Sequence, residues 1–481
     1  MKVWLRESSN FVLLTIGIIF SLAVAFLAVR FGVIVPIMLT VTFLGVIYLL
    51  ITVREIKFAF YGMFAFCFMV IFLYREISSS IPFGIGVEVM ILLVWCSVFF
   101  NNNRVNWKFA NNDLVFLALF WFIISLIEVV NPAGASVRGW VQEIRSSALY
   151  FIMIVPLSFV ILNRKKDLNH FLALIIIISV AGTFYGMRQL FVGLTSGEQQ
   201  FLDNGAAQTH LLWGKLRVFS FYSDAGQFGA SQAHICLIAF ILALGPFLWW
   251  KRVLLGVAAF ILFYGMLISG TRGALFALVA GGFFALFLSK NFKVLLLGGM
   301  FAVAFLGFLK FTTIGNGNYQ IFRLRTALDP TDPSLNVRFT NQLILKEYLS
   351  SRPFGGGLGV IGTWGKEYNK DKFLSTIEPD SYWVKVWVMY GIVGFVIWFG
   401  IMMYIIGKCC GIVWKIRDDR LRVKLIALTS GTVGVFVCSY GNEVMNTMPT
   451  ALILYVSWAF VYLGPQLDKE KKESINQVIT N

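Results

Sequence analysis

The sequence predicts an all-α, polytopic membrane protein, a helical bundle of about 14 transmembrane helices. Three observations predict it. First, 58% of the 481 residues are hydrophobic, only 13% are charged and mean hydropathy is +0.79. A soluble domain is about a quarter charged, so disordered, fibrous and ordinary cytosolic proteins are excluded. Second, the apolar residues gather in runs of roughly 20, the length that crosses hydrocarbon. Third, the basic residues concentrate in alternate loops, the pattern that orients membrane helices.

The runs fall at 11–29, 31–52, 58–74, 82–100, 113–131, 147–162, 170–193, 226–249, 252–269, 273–289, 293–312, 381–407, 423–440 and 449–464. Lys2 and Arg6 precede the first. Its small-residue triplet Ala23-Val24-Ala25 lies inside the run, so the run reads as an uncleaved helix and not a signal peptide. The first two runs meet at Arg30, and the ninth and tenth at Arg272. With the N-terminus inside, inner segments hold 22 of the 40 basic residues, and the short outer loops hold seven. Both termini are therefore expected in the cytoplasm. The expected organisation is helices 1–11 over 1–312, with an external loop at 194–225, then a long external segment at 313–380. Helices 12–14 follow over 381–464, with a cytoplasmic tail at 465–481.

The same bias accounts for the net charge of +16. No basic stretch is interleaved with aromatics, so no nucleic-acid partner is expected. The partner is the lipid bilayer. Cys67, Cys96, Cys236, Cys409, Cys410 and Cys438 fall in expected spans or on the inner side, so no disulfide is expected. His170, His210 and His234 are far apart, and no Cys/His spacing suits a metal.

Two outer segments stand out. The loop from Thr195 to Ala225 holds Asp203, His210, Lys215, Arg217 and Asp224. In the segment 313–380, Asp332-Pro333 suits an N-cap and first helical residue. Asn336 to Ser351 reads as an amphipathic helix with Leu343, Ile344 and Tyr348 near one face. Arg352-Pro353 stops it, and Phe354-Gly355-Gly356-Gly357-Leu358-Gly359 offers backbone able to approach a ligand closely. This segment reads as a half-structured lid on the membrane surface. Outer arginines run against the charge bias, and a guanidinium fork suits a phosphate. Arg217, Arg272 and Arg338 could together hold a diphosphate whose lipid tail lies in the bilayer. A single arginine at a helix end commonly just snorkels to the headgroups, so the coincidence of several carries the reading.

These features resemble the O-antigen ligase and O-antigen polymerase superfamily of bacterial envelope glycan enzymes. Three stretches over about 210–440 carry the resemblance. One is Ser269-Gly270-Thr271-Arg272-Gly273-Ala274 opening an apolar helix. Another is Arg338 with the helix running into Arg352-Pro353 and the glycine run. The third is Asp380-Ser381, nine residues, then Gly391-Ile392-Val393-Gly394. Ligases of the family typically carry a histidine where this chain has Asp380.

The resemblance implies an all-helical bundle with a periplasmic loop over its site, working on the outer face of the inner membrane. It implies an undecaprenyl-diphosphate-linked glycan donor and, as acceptor, a lipid A–core sugar (ligase) or another lipid-linked glycan (polymerase). It implies no metal and no nucleotide-sugar cofactor. Arg217 and Arg272 would stabilise the departing diphosphate, with Asp380 completing the catalytic set. Three roles stay open for Asp380: base for the acceptor hydroxyl, orienter of the acceptor sugar, or helix cap. Arg338, Arg352, Gly357, Gly359, Ser381 and His210 are the candidate substrate-binding residues. His210 is the only outer histidine, and Glu443 in the turn Gly441-Asn442-Glu443 is a weaker sugar contact. A polymerase is favoured, because the ligase histidine is absent. A flippase of lipid-linked sugars would call for charge at mid-membrane and internal repeats. Here the telling charges gather on one face.

Overall fold

A computed structural model describes residues 45–77, 83–290, 292–317, 319–329, 331 and 333–469. The expected span 11–29, most of 31–52, Asp332 and the tail from 470 lie outside the described residues. The helices are α1 (Gly45–Arg54), α2 (Ile56–Glu76), α3 (Phe83–Phe100), α4 (Asp113–Ile127) and α5 (Val137–Ile161). There follow α6 (Lys165–Phe191), α7 (Ala225–Ala243), α8 (Trp249–Ile268), α9 (Gly273–Leu288) and α10 (Phe292–Phe311). Next come α11 (Tyr319–Thr326), α12 (Pro333–Leu349), α13 (Tyr382–Val413), α14 (Asp419–Cys438) and α15 (Thr450–Tyr462). Among the described residues, nine helices are long and apolar enough to cross a membrane, and α1, α9 and α15 are shorter apolar helices. The all-α, multi-pass reading is borne out, and every expected span from 58–74 onward overlaps a helix.

At the centre lies α7, packed by α8, α9 and α14 and among the most enclosed helices. Close approach of α9 and α14 depends on small residues, as is usual where helices cannot gain from leaving water. A Cβ on Gly434 would sit 2.5 Å from Ala277 O, and one on Gly281 2.7 Å from Ser430 O. On the periphery, Phe116, Trp249, Val257 and Phe260 are exposed. An apolar exterior over a packed interior suits helices that face lipid.

Four local expectations are corrected. Helix α5 begins at Val137, ten residues before the expected 147, because its inward charges Glu143 and Arg145 are paired. Arg145 clamps Glu88 (Nε–Oε1 2.5 Å, Nη2–Oε2 2.9 Å) and Glu143 meets Lys385 at 3.0 Å. Paired charges let a helix continue where hydropathy reads a loop. Helix α7 stops at Ala243, well before 249, since Gly245-Pro246 cannot continue it. On α12 the buried side chains are Leu345 and Leu349, while Leu343 and Ile344 are exposed.

The fourth correction is in α13, which runs to Val413 and is broken at Gly391 (φ 67°, ψ −171°). The break and the glycine run form one joint. Gly356 N–H donates to Val388 O (2.8 Å), Gly357 N–H to Met389 O (3.0 Å), and Val393 N–H to Pro353 O (3.2 Å). Carbonyls freed by the break are thus satisfied by the glycine strap 354–359, as a buried chain requires. The glycines approach protein backbone here: a Cβ on Gly355 would overlap Gly391 N, and one on Gly359 would overlap Gly139 O.

Candidate active site

The segment 194–225 is ordered by short helices and a small hairpin. Helices Ser196–Phe201 and Ala207–His210 lead into β1 (Leu211–Leu212), which pairs antiparallel with β2 (Lys215–Leu216). His210 is buried between Phe201 and Phe219. Its Nε2 accepts from Ala225 N–H at 3.2 Å and its Nδ1 lies 3.0 Å from Ala206 O. That pairing assigns the neutral tautomer with the proton on Nδ1. Burial holds the His210 pKa below the ordinary histidine value. The ring therefore braces the loop, with both nitrogens engaged.

Arg217 follows β2 and reaches across to the turn between α8 and α9. Its Nε donates to Ser269 O (3.3 Å), Nη1 to Thr209 O (2.8 Å) and Nη2 to Thr271 Oγ1 (3.2 Å). Arg217 N–H also donates to His210 O at 2.8 Å, so His210 and Arg217 share one frame. Gly270 (φ 59°) turns the chain beneath this guanidinium. Arg323, on α11, joins from the long segment: its Nη2 donates to Gly270 O at 3.3 Å, and it lies over Trp213 at the hairpin tip. Burial, then the like charge of Arg323 and, more weakly, that of Arg272, pull the Arg217 guanidinium down to about 10, with Asp224 opposing. Arg272 immediately precedes α9, where a helix N-terminus adds partial positive charge. Three arginines from three segments thus converge on one helix start, which is an arrangement for an anion.

A second cluster adjoins it. Asn442 packs onto Gly273, at the start of α9, and Gly441 next to it lies near Arg338 Nη1. Arg338 faces Asp380 (Nε–Oδ2 3.7 Å), and that Nε has no hydrogen-bond partner, so the guanidinium is loosely held. Asp380 sits in the left-handed region (φ 39°), half exposed. The helix cap is Ser381, whose Oγ accepts from Val384 N–H at 3.3 Å. Asp380 is thereby free of the capping role. One turn into α13, buried Lys385 bridges Glu143 and Glu443, each at 3.0 Å. Glu443 is raised above the ordinary glutamate range by burial, with Lys385 opposing and Glu143 and Asp380 adding to it.

The structure therefore brings together Arg217 and Arg272, and beside them Arg338 and Asp380. Arg352 instead folds back on the end of α12, donating to Tyr348 O (2.8 Å) and covering the Tyr348 ring. Gly357, Gly359 and Ser381 are buried in the framework. Sequence reasoning missed Arg323, Lys385 and Glu143. Arg323 lies in a short polar helix without an apolar stripe, and the other two are charges inside apparently apolar or loop segments.

Residues 257–399 match the O-antigen ligase family model. That stretch takes in Arg272, Arg323, Arg338 and Asp380, and leaves out Arg217 and Glu443. An O-antigen polymerase of Salmonella muenchen is 30% identical over 188 residues, 38% of this chain and 45% of that protein. The match thus spans under half the length of that relative. Together these findings bear out the resemblance to the O-antigen ligase and polymerase superfamily.

Proposed function

We propose that this chain is a glycan transferase that polymerises oligosaccharides carried on undecaprenyl diphosphate. The observation that carries the reading is the convergence of Arg217, Arg272 and Arg323 on the start of α9. A lipid diphosphate is a good leaving group once its developing charge is neutralised, and fixed cations in a shielded site do that best. In the step we propose, an acceptor hydroxyl attacks the anomeric carbon and its proton passes to the Asp380 carboxylate. The anomeric C–O bond breaks, and its electron pair leaves with the diphosphate, held by the three arginines. Direct displacement inverts the anomeric centre. Arg338, in reach of Asp380, orients the acceptor sugar. His210 acts as a positioning residue, through the backbone that frames Arg217.

The charge bias of the loops supports placing this site outside the cytoplasmic membrane, with both termini inside. A ligase acting on lipid A–core is the second reading, favoured by the family model over 257–399. Asp380 in place of the ligase histidine and the likeness to an O-antigen polymerase favour the first. Purified protein in liposomes, given lipid-linked repeat units alone, should build a ladder of longer lipid-linked chains without metal or nucleotide. Product formed only when lipid A–core is added would make it a ligase. No product in either mixture, from folded protein, refutes the transferase reading. Within an active preparation, Arg272→Ala should abolish transfer, and Asp380→Asn should slow the chemical step far more than binding.

A further inference from the structure

At the end of α13 remote from Asp380 lies a cavity of about 560 Å³ between the last turns of α13 and the segment after α15. Its two sides differ in chemistry. Gly407 and Gly411 open its wall, one turn apart on α13 with nothing within 4 Å of where a side chain would begin. Lys408, Lys415, Arg417 and Lys469 form its rim. Lys408 is paired with Asp113 at 3.1 Å. Lys415, Arg417 and Lys469 are exposed, and their side chains make no hydrogen bond or ion pair among the described residues. The acid in the lining, Asp468, spends both oxygens on backbone, accepting from Arg417 N–H (3.2 Å) and Asp418 N–H (3.0 Å). The cavity is left with an excess of positive charge above an apolar groove.

We propose that this cavity binds one anionic phospholipid, its phosphate among Lys415, Arg417 and Lys469 and an acyl chain along the groove at Gly407 and Gly411. A free phosphate would use the cations but not the groove. A lipid uses both, and a rim of basic residues at the end of a membrane helix is where anionic headgroups lie. The site is separate from the proposed transfer chemistry and stands whether or not that reading holds.

Native mass spectrometry of the full chain tests it, with phosphatidylglycerol and phosphatidylcholine of identical acyl chains as probes. Each basic side chain near a headgroup is worth roughly fivefold in affinity, so three give a preference on the order of 100-fold for phosphatidylglycerol. The expected result is one retained phosphatidylglycerol per chain. The preference should fall to within about fivefold in Lys415→Gln/Arg417→Gln/Lys469→Gln, and partly in Lys469→Gln alone. Equal retention of the two lipids, or an unchanged preference in the triple variant, would overturn it. So would displacement of the lipid by inorganic phosphate at equal headgroup concentration.

Discussion

Replacing Arg217 by lysine keeps the charge and removes the fork, so it isolates what the guanidinium geometry contributes. Arginine has five N–H donors. Three are spent on Ser269 O, Thr209 O and Thr271 Oγ1, which leaves one on each terminal nitrogen for a ligand. Charge-assisted hydrogen bonds contribute about 1.5–3 kcal/mol each. Taking the lower figure for both, the variant loses about 3 kcal/mol of stabilisation on the proposed diphosphate leaving group. At 1.36 kcal/mol per tenfold, that is a fall of roughly 150-fold in kcat/KM. The assay is single-turnover transfer from the lipid-linked donor in proteoliposomes, with the melting temperature of the same sample alongside. Arg217→Lys at within about threefold of wild type, with folding intact, would refute a direct role for the fork. A loss of rate matched by loss of folded protein would reduce Arg217 to a strut of the loop.

Other outcomes follow from the same geometry. Lys385→Met strands the fully buried Glu143 carboxylate and should lower stability by about 3–5 kcal/mol. Adding Glu143→Gln should recover part of that loss, as read by detergent melting curves. Acidification should weaken the loop 194–225 through His210, whose folded pKa is depressed by burial. Its contribution is present above the unfolded value of about 6.5 and is lost as pH falls below it, so proteolysis between Thr195 and Ala225 should accelerate there in wild type more than in His210→Gln. Gly391→Ala places a side chain in a backbone region almost confined to glycine and against Pro353 O. That should cost about 1–3 kcal/mol for the backbone alone, visible as a lowered melting temperature.

Much of this was legible in the residues, for reasons that differ by level. Hydropathy found the spans because a helix in lipid must be apolar over its whole length, a signal that needs no partner. It failed wherever a partner supplied the missing term. Arg145 and Glu143 read as loop residues until Glu88 and Lys385 neutralise them. Arg217 and Arg272 were legible because several arginines recur in segments that the charge pattern expects to be poor in them. Arg323 was not, because its significance lies in meeting Arg217 across about a hundred residues. The glycine run was recognised as unusual, but not the backbone it packs against. A sequence shows that backbone can come close to something, and the broken helix α13 is what it comes close to.

That joint explains why the spacing from Ser381 to Gly391 has mechanical meaning. Nine residues, Tyr382 to Tyr390, form the half-helix between cap and break, about 13 Å at 1.5 Å per residue. Its upper end carries Asp380, and Lys385 one turn down is tied to Glu143 on α5 and to Glu443 in the loop between α14 and α15. Its lower end is tied by backbone hydrogen bonds to the strap that ends the α12 segment. Arg338 on α12 and Asp380, just before the cap of α13, are thus held by two ends of one framework, not by the 3.7 Å contact between them. A weak, half-exposed ion pair could not fix the proposed base against an acceptor hydroxyl. A half-helix pinned at both ends can, and each residue added between them would turn Asp380 by about 100° away from Arg338.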